Sequence, residues 1–400
     1  MTANLHLNST RNGTEQGRQP VLYLALELGW DDWKLAFTTG PGPSARQRKM
    51  PARNLEQLKQ EIAATKRRLK LPADCRVISC YEAGRDGFWL HRWLLEQGVE
   101  NIVVDSSSIE VSRQQRRAKS DSLDAEKLLS MLLRHAGGEH VWSVVQVPTV
   151  EQEDARQLHR ELLTLQEEAT EHMNRVKGLL ALCGISLEVD RHFSKRLKEV
   201  RQPNGEAVPD ALKQRLLREF ERLQVANRQA RALEDQRAKE VLKGAETPAL
   251  NKIRKLLKIK GIGIRSSWLY VQEFFGWRKF KNRKEVGGLA GLTPTPYDSG
   301  QMKRDQGISK AGNKRMRWMA TEIAWGWLRF QPDSELGRWY YTRFANGSSR
   351  QRRIGIVALA RKLLVALWKY LETGVPPAGA TLSEDWQAKA KVTTRTLKAG

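Results

Sequence analysis

Val21-Leu22-Tyr23-Leu24-Ala25-Leu26-Glu27-Leu28, Gly29-Trp30-Asp31-Asp32 and Trp33-Lys34-Leu35-Ala36-Phe37-Thr38-Thr39 follow one another in the sequence. Together they decide how the N-terminal part folds. The first run is apolar except for Glu27 and too short for an ordinary globular helix, so it reads as a buried strand. The glycine-containing quartet is a tight turn, with Asp31 and Asp32 as turn residues. Trp33 to Thr39 then reads as a second strand, and Gln47 to Met50 as a short third one.

Outward from there the pattern changes to alternation. Asn54 caps a predicted helix running to about Lys70. Arg76 to Tyr81 is β-rich, a helix is expected from about Asp86 to Gln97, and Asn101 to Asp105 is another strand. A helix follows from about Ser120 to Arg134, and Val141 to Val147 is a last extended piece stopped by Pro148. The order β-β-β-α-β-α-β-α predicts a ribonuclease H-like α/β domain over residues 21–150. A doubly wound dinucleotide fold would alternate from its first strand. No glycine-rich phosphate loop follows the first strand, which argues further against it.

Residues 151–247 have a different character. Leu158, Leu162, Leu165, Ala169, His172, Val176 and Leu179 follow a heptad seam, and a weaker one runs through Leu216, Phe220, Leu223 and Ala230. Pro203, Gly205 and Pro209 separate the two. This coiled-coil region reads as an antiparallel hairpin or as an arm that dimerises, with His172 as a core or interface residue. A mainly helical third domain is expected over 248–374. Residues 1–20 and 375–400 read as disordered.

The chain has 400 residues, enough for two or three domains. Lys and Arg number 69 against 45 Asp and Glu, a formal net charge of +24, which makes a polyanion the expected partner. Residues 251–370 alone hold 26 Lys or Arg and 7 Asp or Glu, so most of the surplus lies in less than a third of the chain. Cys75, Cys80 and Cys183 cannot form a disulfide framework and lack zinc-type spacing. The most apolar stretch, Ile354 to Leu371, carries Arg361, Lys362 and Lys369, which excludes it as a membrane span. The N-terminus lacks a signal-peptide pattern, and the expected location is the cytoplasm.

Two constellations carry chemistry. The first strand carries Glu27 and Glu82 follows the fourth, while Asp121 and Asp124 open the last helix three residues apart, on one face. Singly, each has an ordinary explanation as a helix-terminal or surface charge. Together, on elements that are neighbours in such a fold, they predict a carboxylate site for hard cations, Mg²⁺ or Mn²⁺. Asp105 is the best spare ligand. The second constellation is C-terminal. Lys260-Gly261-Ile262-Gly263 resembles a helix-hairpin-helix turn, whose amides could approach a phosphate. Gly287-Gly288-Leu289-Ala290-Gly291-Leu292-Thr293-Pro294, Ser299-Gly300 and Ser309-Lys310-Ala311-Gly312-Asn313 follow. Ser299 sits in a glycine-flanked loop with Lys303, Arg304, Lys310 and Lys314 nearby. On chemistry alone it is a hydrogen-bonding turn residue or a nucleophile. The next helix carries Trp318, Trp325 and Trp327, most of them expected in the core. Arg350, Arg352 and Arg353, near Trp339, Tyr340 and Tyr341, are a nucleic-acid surface candidate.

These motifs resemble the DEDD transposases of the insertion-sequence family "IS one-ten", relatives of Piv-type DNA invertases, over roughly residues 21–370. The resemblance rests on E-A-G at Glu82, R-A-K-S-D-S-L-D-A through Asp124, and G-L-T-P…S-G…S-K-A-G-N. It implies a RuvC-like domain, a coiled coil and a C-terminal transposase domain. It implies Glu82, Asp121 and Asp124 as metal ligands, Glu27 where the family usually has Asp, and Ser299 as the nucleophile joined covalently to DNA. Donor and target DNA, a noncoding bridge RNA, and a homodimer that becomes a tetramer in synapsis are the implied partners. A junction-resolving nuclease without a covalent intermediate and an inactive nucleic-acid-binding copy are the alternatives.

Overall fold

A computed structural model describes residues 20–84, 87–109, 121–299 and 302–390, apart from the side chains at 107, 121–123, 296–299 and 302–306. The chain divides into two compact units, 1–147 and 148–400.

The first unit is built on strands β1 (Val21–Leu28), β2 (Asp32–Thr38), β3 (Arg46–Pro51), β4 (Arg76–Glu82) and β5 (Val99–Val104). Helices α1 (Leu55–Arg68), α2 (Trp89–Glu96) and α3 (Asp121–Ala136) complete it. The strand order is β3-β2-β1-β4-β5. β1, β2 and β3 pair antiparallel, whereas β4 and β5 lie parallel to β1. Each parallel crossover carries a helix, as the connection requires. Asn54 caps α1 by accepting from the Gln57 amide, as its sequence predicts.

β1 is apolar on both faces because both are covered. Leu22, Leu24 and Leu26 join Trp33, Leu35, Phe37, Val77 and Tyr81 in one core layer. On the opposite face Ala25, Ala36, Cys80 and Val104 meet Ala125, Leu128, Leu129 and Leu132 of α3. The small residues under α3 let the helix approach the sheet closely. The predicted strand Val141–Val147 is reduced to one bridge, Val144 to Val104. Amide bonds from Asp105 to the Ser143 carbonyl and from Val145 to the Val103 carbonyl flank it.

The second unit begins with α4 (Val150–Asp154), α5 (Gln157–Ala181), α6 (Phe193–Glu199) and α7 (Asp210–Lys243). α5 and α7 pack along their length within one chain, so the heptad seam closes on itself as a hairpin. Val176, Leu179, Leu216, Phe220 and Leu223 form its distal core, and Leu162, Leu165 and Ala230 the next layer. His172 bonds Glu219 across the seam at 2.7 Å.

Then follow α8 (Pro248–Leu257), α9 (Ile264–Tyr270), a π-helical turn (Val271–Phe275) and α10 (Arg283–Leu289). The hairpin β6 (Pro294–Ser299) and β7 (Met302–Ile308) precedes α11 (Lys314–Phe330), α12 (Glu335–Phe344) and α13 (Ser349–Thr373). α13 starts at a Ser348–Gln351 capping box and stops at Gly374, whose φ is +82°.

Two expectations are corrected in this unit. Residues 375–390, read from composition as part of a disordered tail, fold back on the α8–α9 turn. Lys389 Nζ donates to the Leu257 and Ile259 carbonyls at 2.8 and 2.9 Å, and Ala390 is fully buried. Of the three tryptophans of α11, Trp327 alone is in the core, while Trp318 and Trp325 are exposed.

Candidate functional site

Parallel strands place their carboxyl ends side by side, and in this sheet those ends are acidic. Leu26 pairs with Tyr81 and Glu82 with Val104, so Glu27 and Glu82 stand side by side at the ends of β1 and β4, and Asp105 follows one residue past β5. Side chains alternate along a strand. Tyr23 and Ala25 of β1, and Ile78 and Cys80 of β4, belong to the α3 layer, which puts Glu27 and Glu82 on that same face. α3 runs antiparallel to β4 above them and opens with Asp121 and Asp124. The Gln47 side-chain amide donates to Glu126 and ties β3 to this end of α3.

The electrostatics show how close these acids are. Glu82 lies at an exposed strand end, yet its carboxyl is pushed above the ordinary value. Partial burial is the largest cause, followed by the negative charges of Asp124 and Asp105, with Lys127 opposing. Like charges gathered at one site disfavour ionisation unless a cation joins them. Among the described residues no three His, Cys, Asp or Glu side chains are near enough to form a finished metal cage. The Asp121 side chain lies outside that description. Glu27, Glu82, Asp105 and Asp124 offer oxygen donors only, which fits a hard divalent cation. The Cys80 thiol beneath them is buried and its pKa is pushed up by that burial, so it is inert.

Ser299, expected in a loop, ends strand β6 and pairs with Met302. Asp298 pairs with Lys303 and Tyr297 with Arg304, which sets the two basic residues on the strand opposite the serine. The side chains of Ser299, Lys303 and Arg304 lie outside the described set. The base of this hairpin is a tight neck formed by the two glycine motifs. The Ser309 amide donates to the Thr293 carbonyl, Lys310 to Gly291, and Asn313 to Leu289. Gly291 and Gly312 have φ of +68° and +80°. A Cβ at Gly291 would lie 2.0 Å from the Ala311 oxygen, and one at Gly312 2.2 Å from the Leu289 oxygen. Only glycine allows this approach.

Beside the neck an open groove of 1870 Å³ runs along α13. Arg350, Arg353, Arg361 and Lys369 line one side, Lys310 and Arg283 stand near the hairpin, and among the described residues the sole lining carboxylate is Glu335. Arg352 is exposed but does not line the groove, and Lys314 is exposed at the start of α11.

A family model described as "Transposase IS116/IS110/IS902 family" matches residues 253–337. The putative transposase y4rJ of Sinorhizobium fredii is 38% identical over 380 residues, covering 90% of this chain and 94% of that protein. The chain belongs to this transposase family. The transposase for insertion sequence element IS1328 of Yersinia enterocolitica is 26% identical over 252 residues, 62% of this chain and 71% of that one. A probable family 20 transposase of Pseudomonas aeruginosa is 27% identical over 257 residues, 63% and 72% of the two chains.

In this transposase the family match takes in the serine hairpin, its neck and the α8–α9 turn. That turn joins two helices, but most of its amides are spent. Lys260 donates to Thr381, Ile262 to Ile259, and Gly263 to the Ser266 hydroxyl. Gly261, with φ of +90°, is required because a Cβ would lie 2.9 Å from Phe330. A nucleic-acid role for Lys260, Gly261 and Gly263 therefore rests on the exposed Lys260 side chain. The buried acid Glu273 lies outside both sequence constellations. It is a lone acid in the apolar run Val271-Gln272-Glu273-Phe274-Phe275, the same signal that marks Glu27.

Proposed function

We propose that this transposase breaks and rejoins DNA through Ser299 and a divalent cation held by Glu27, Glu82, Asp121 and Asp124. Asp105 is the additional carboxylate of that site. The row of strand-end acids facing the first turn of α3 is the observation that carries the reading. The sheet order β3-β2-β1-β4-β5, with its first three strands antiparallel, supports a ribonuclease H-like, RuvC-like assignment.

In the proposed step the Ser299 hydroxyl releases its proton and its Oγ forms a bond to a DNA phosphorus. One phosphorus–oxygen bond of the strand breaks, and the departing hydroxyl takes up a proton. The number of phosphodiester bonds is conserved, so the strand can be rejoined without an external energy source. When bound, Mg²⁺ or Mn²⁺ supplies Lewis-acid stabilisation of charge on phosphoryl oxygens. The groove cations hold the phosphate backbone near the neck.

Family resemblance adds three further parts to the reading. A bridge RNA pairs with donor and target DNA and shares the basic surface. A homodimer assembles into a synaptic tetramer. The enzyme acts in the cytoplasm, on nucleoid DNA. The test is trapping of a protein–DNA adduct with end-labelled flanking DNA and RNA transcribed from the element. The wild type gives a denaturant-stable adduct and Ser299→Ala none. Nicking that persists unchanged in Ser299→Ala would favour a water-using nuclease instead.

A further inference from the structure

The serine hairpin hangs from its neck, and the neck is tied to a buried charge. Glu273 is 1% exposed and lies in the π-helical turn, an irregularity that often accompanies functional sites. Its carboxylate accepts from Arg160 Nε and a terminal guanidinium nitrogen at 2.9 and 3.2 Å. It also accepts from Asn313 Nδ2 at 3.3 Å. Burial alone would raise its pKa. The Arg160 hydrogen bonds and the charges of Arg160, Arg156 and Arg315 outweigh that and hold it below the ordinary range.

Asn313 is the last residue of the Ser309–Asn313 motif and performs three tasks at once. Its amide donates to Leu289 across the neck at 2.9 Å. Its side-chain oxygen caps α11 by accepting from the Met316 amide at 3.1 Å. Its side-chain nitrogen reaches Glu273. A chain of contacts thus runs from α5 through Arg160, Glu273 and Asn313 to the point where β7 leaves the hairpin.

We propose that Glu273 is a positioning residue that fixes the Ser299 hairpin relative to the α5–α7 arm, acting through Asn313. The inference rests on Ser299 being the nucleophile. A carboxylate with both oxygens engaged by α5 and by the neck restricts how the hairpin can tilt. Small errors in aiming a nucleophile cost rate steeply. The contact also gives the helical arm a direct mechanical link to the reacting hairpin, so displacement of α5 is felt at the neck.

The test uses the full-length protein in cells carrying the gene with its native flanks, quantifying the recombined junction. Protein level and the melting temperature of purified protein are read beside it. Asn313→Ser keeps an oxygen to cap α11 but is too short to reach Glu273. It is expected to melt within about 2 °C of wild type and to lower junction yield about tenfold or more. Asn313→Asp sets carboxylate against carboxylate and also lowers the yield. Adding Glu273→Gln to it restores an N–H···O link with the polarity reversed and keeps one negative charge near Arg160. The double variant should recover to within about threefold of wild type.

A wild-type yield in Asn313→Ser, or a double variant no better than Asn313→Asp at equal protein level, overturns the proposal. Losses that simply follow protein level in all variants overturn it as well. Ser299→Ala in parallel separates the two readings. Junctions that survive it overturn the serine nucleophile and the inference with it, whereas a failed swap beside an inactive Ser299→Ala overturns the role of Glu273 alone.

Discussion

The Cys80 thiol lies 3.8 Å from the Leu128 carbonyl, and that pair sets the register between sheet and helix at the acidic site. Two residues further along β4 is Glu82, about 6.6 Å on at strand rise. Four residues back along α3 is Asp124, about 6 Å in the same direction at helical rise. The two advances match, which is why Glu82 feels the Asp124 charge.

That register depends on small residues. Ala25 pairs with Ala36 on one side and Cys80 on the other, all fully buried under α3. Ala25→Leu would overpack this layer, at a cost of about 1–3 kcal/mol, and lift α3 from the strands. The expected outcome is a lower denaturation midpoint and loss of recombination, with nucleic-acid affinity nearly unchanged. Urea titration and filter binding of the same preparation check it.

The glycine neck makes a sharper prediction. Gly291→Ala or Gly312→Ala forces a Cβ into a carbonyl at positive φ, and recombination should be abolished. Gly307→Ala, also at positive φ but facing open space, should cost only about 1 kcal/mol and leave substantial activity. Comparing the three at equal protein level separates neck geometry from general glycine loss.

The helical hairpin should respond to acid through Glu219. The His172 hydrogen bond, aided by Arg175, lowers this carboxyl from the ordinary 4.5 to about 2, against the effect of its burial. A depressed folded pKa gives stability that is complete above pH 4.5 and is lost as pH falls toward 2. Glu219→Gln should therefore lower the melting temperature at about pH 5, and the margin should shrink as pH falls below about 4. Thermal melts across that range test the sign.

The groove along α13 predicts a salt signature. Replacing Arg350, Arg353 and Lys369 together by Gln removes up to three phosphate contacts. The slope of log affinity against log salt should then become shallower by about 2–3 units. Anisotropy titrations with duplex DNA at several salt concentrations measure it. Arg352→Gln, off the groove, should change the slope far less.

The α/β order and the helical hairpin were legible because burial wrote them into short-range pattern. The run from Val21 to Leu28 is apolar on both faces, Asn54 caps where expected, and the heptads from Leu158 to Leu179 find their partner in α7. What escaped depends on distant partners. Pro294, Pro296 and Gly307 make the serine segment look like a loop, although β6 and β7 pair across it. Residues 375–390 look like a linker because their order comes from Gln331 and from the α8–α9 turn. The Gln331 side chain bonds the backbone of both Lys260 and Thr381. Asp105 reads as a strand-end residue and spare ligand, and the parallel register of β4 and β5 brings it close enough to act on Glu82. The basic groove was visible in composition as a surplus of charge, but its alignment with the neck required the packing of α13.

In the proposed reaction the strand-end acids and the hairpin serine serve one recombination event. The most direct measurement sequences excised-circle or inverted junctions from cells carrying the gene and its intact flanks, for wild type, Ser299→Ala and Asp124→Ala. A defined junction is expected in wild type and none in either variant at equal protein level. A junction that persists in Ser299→Ala or in Asp124→Ala would contradict it.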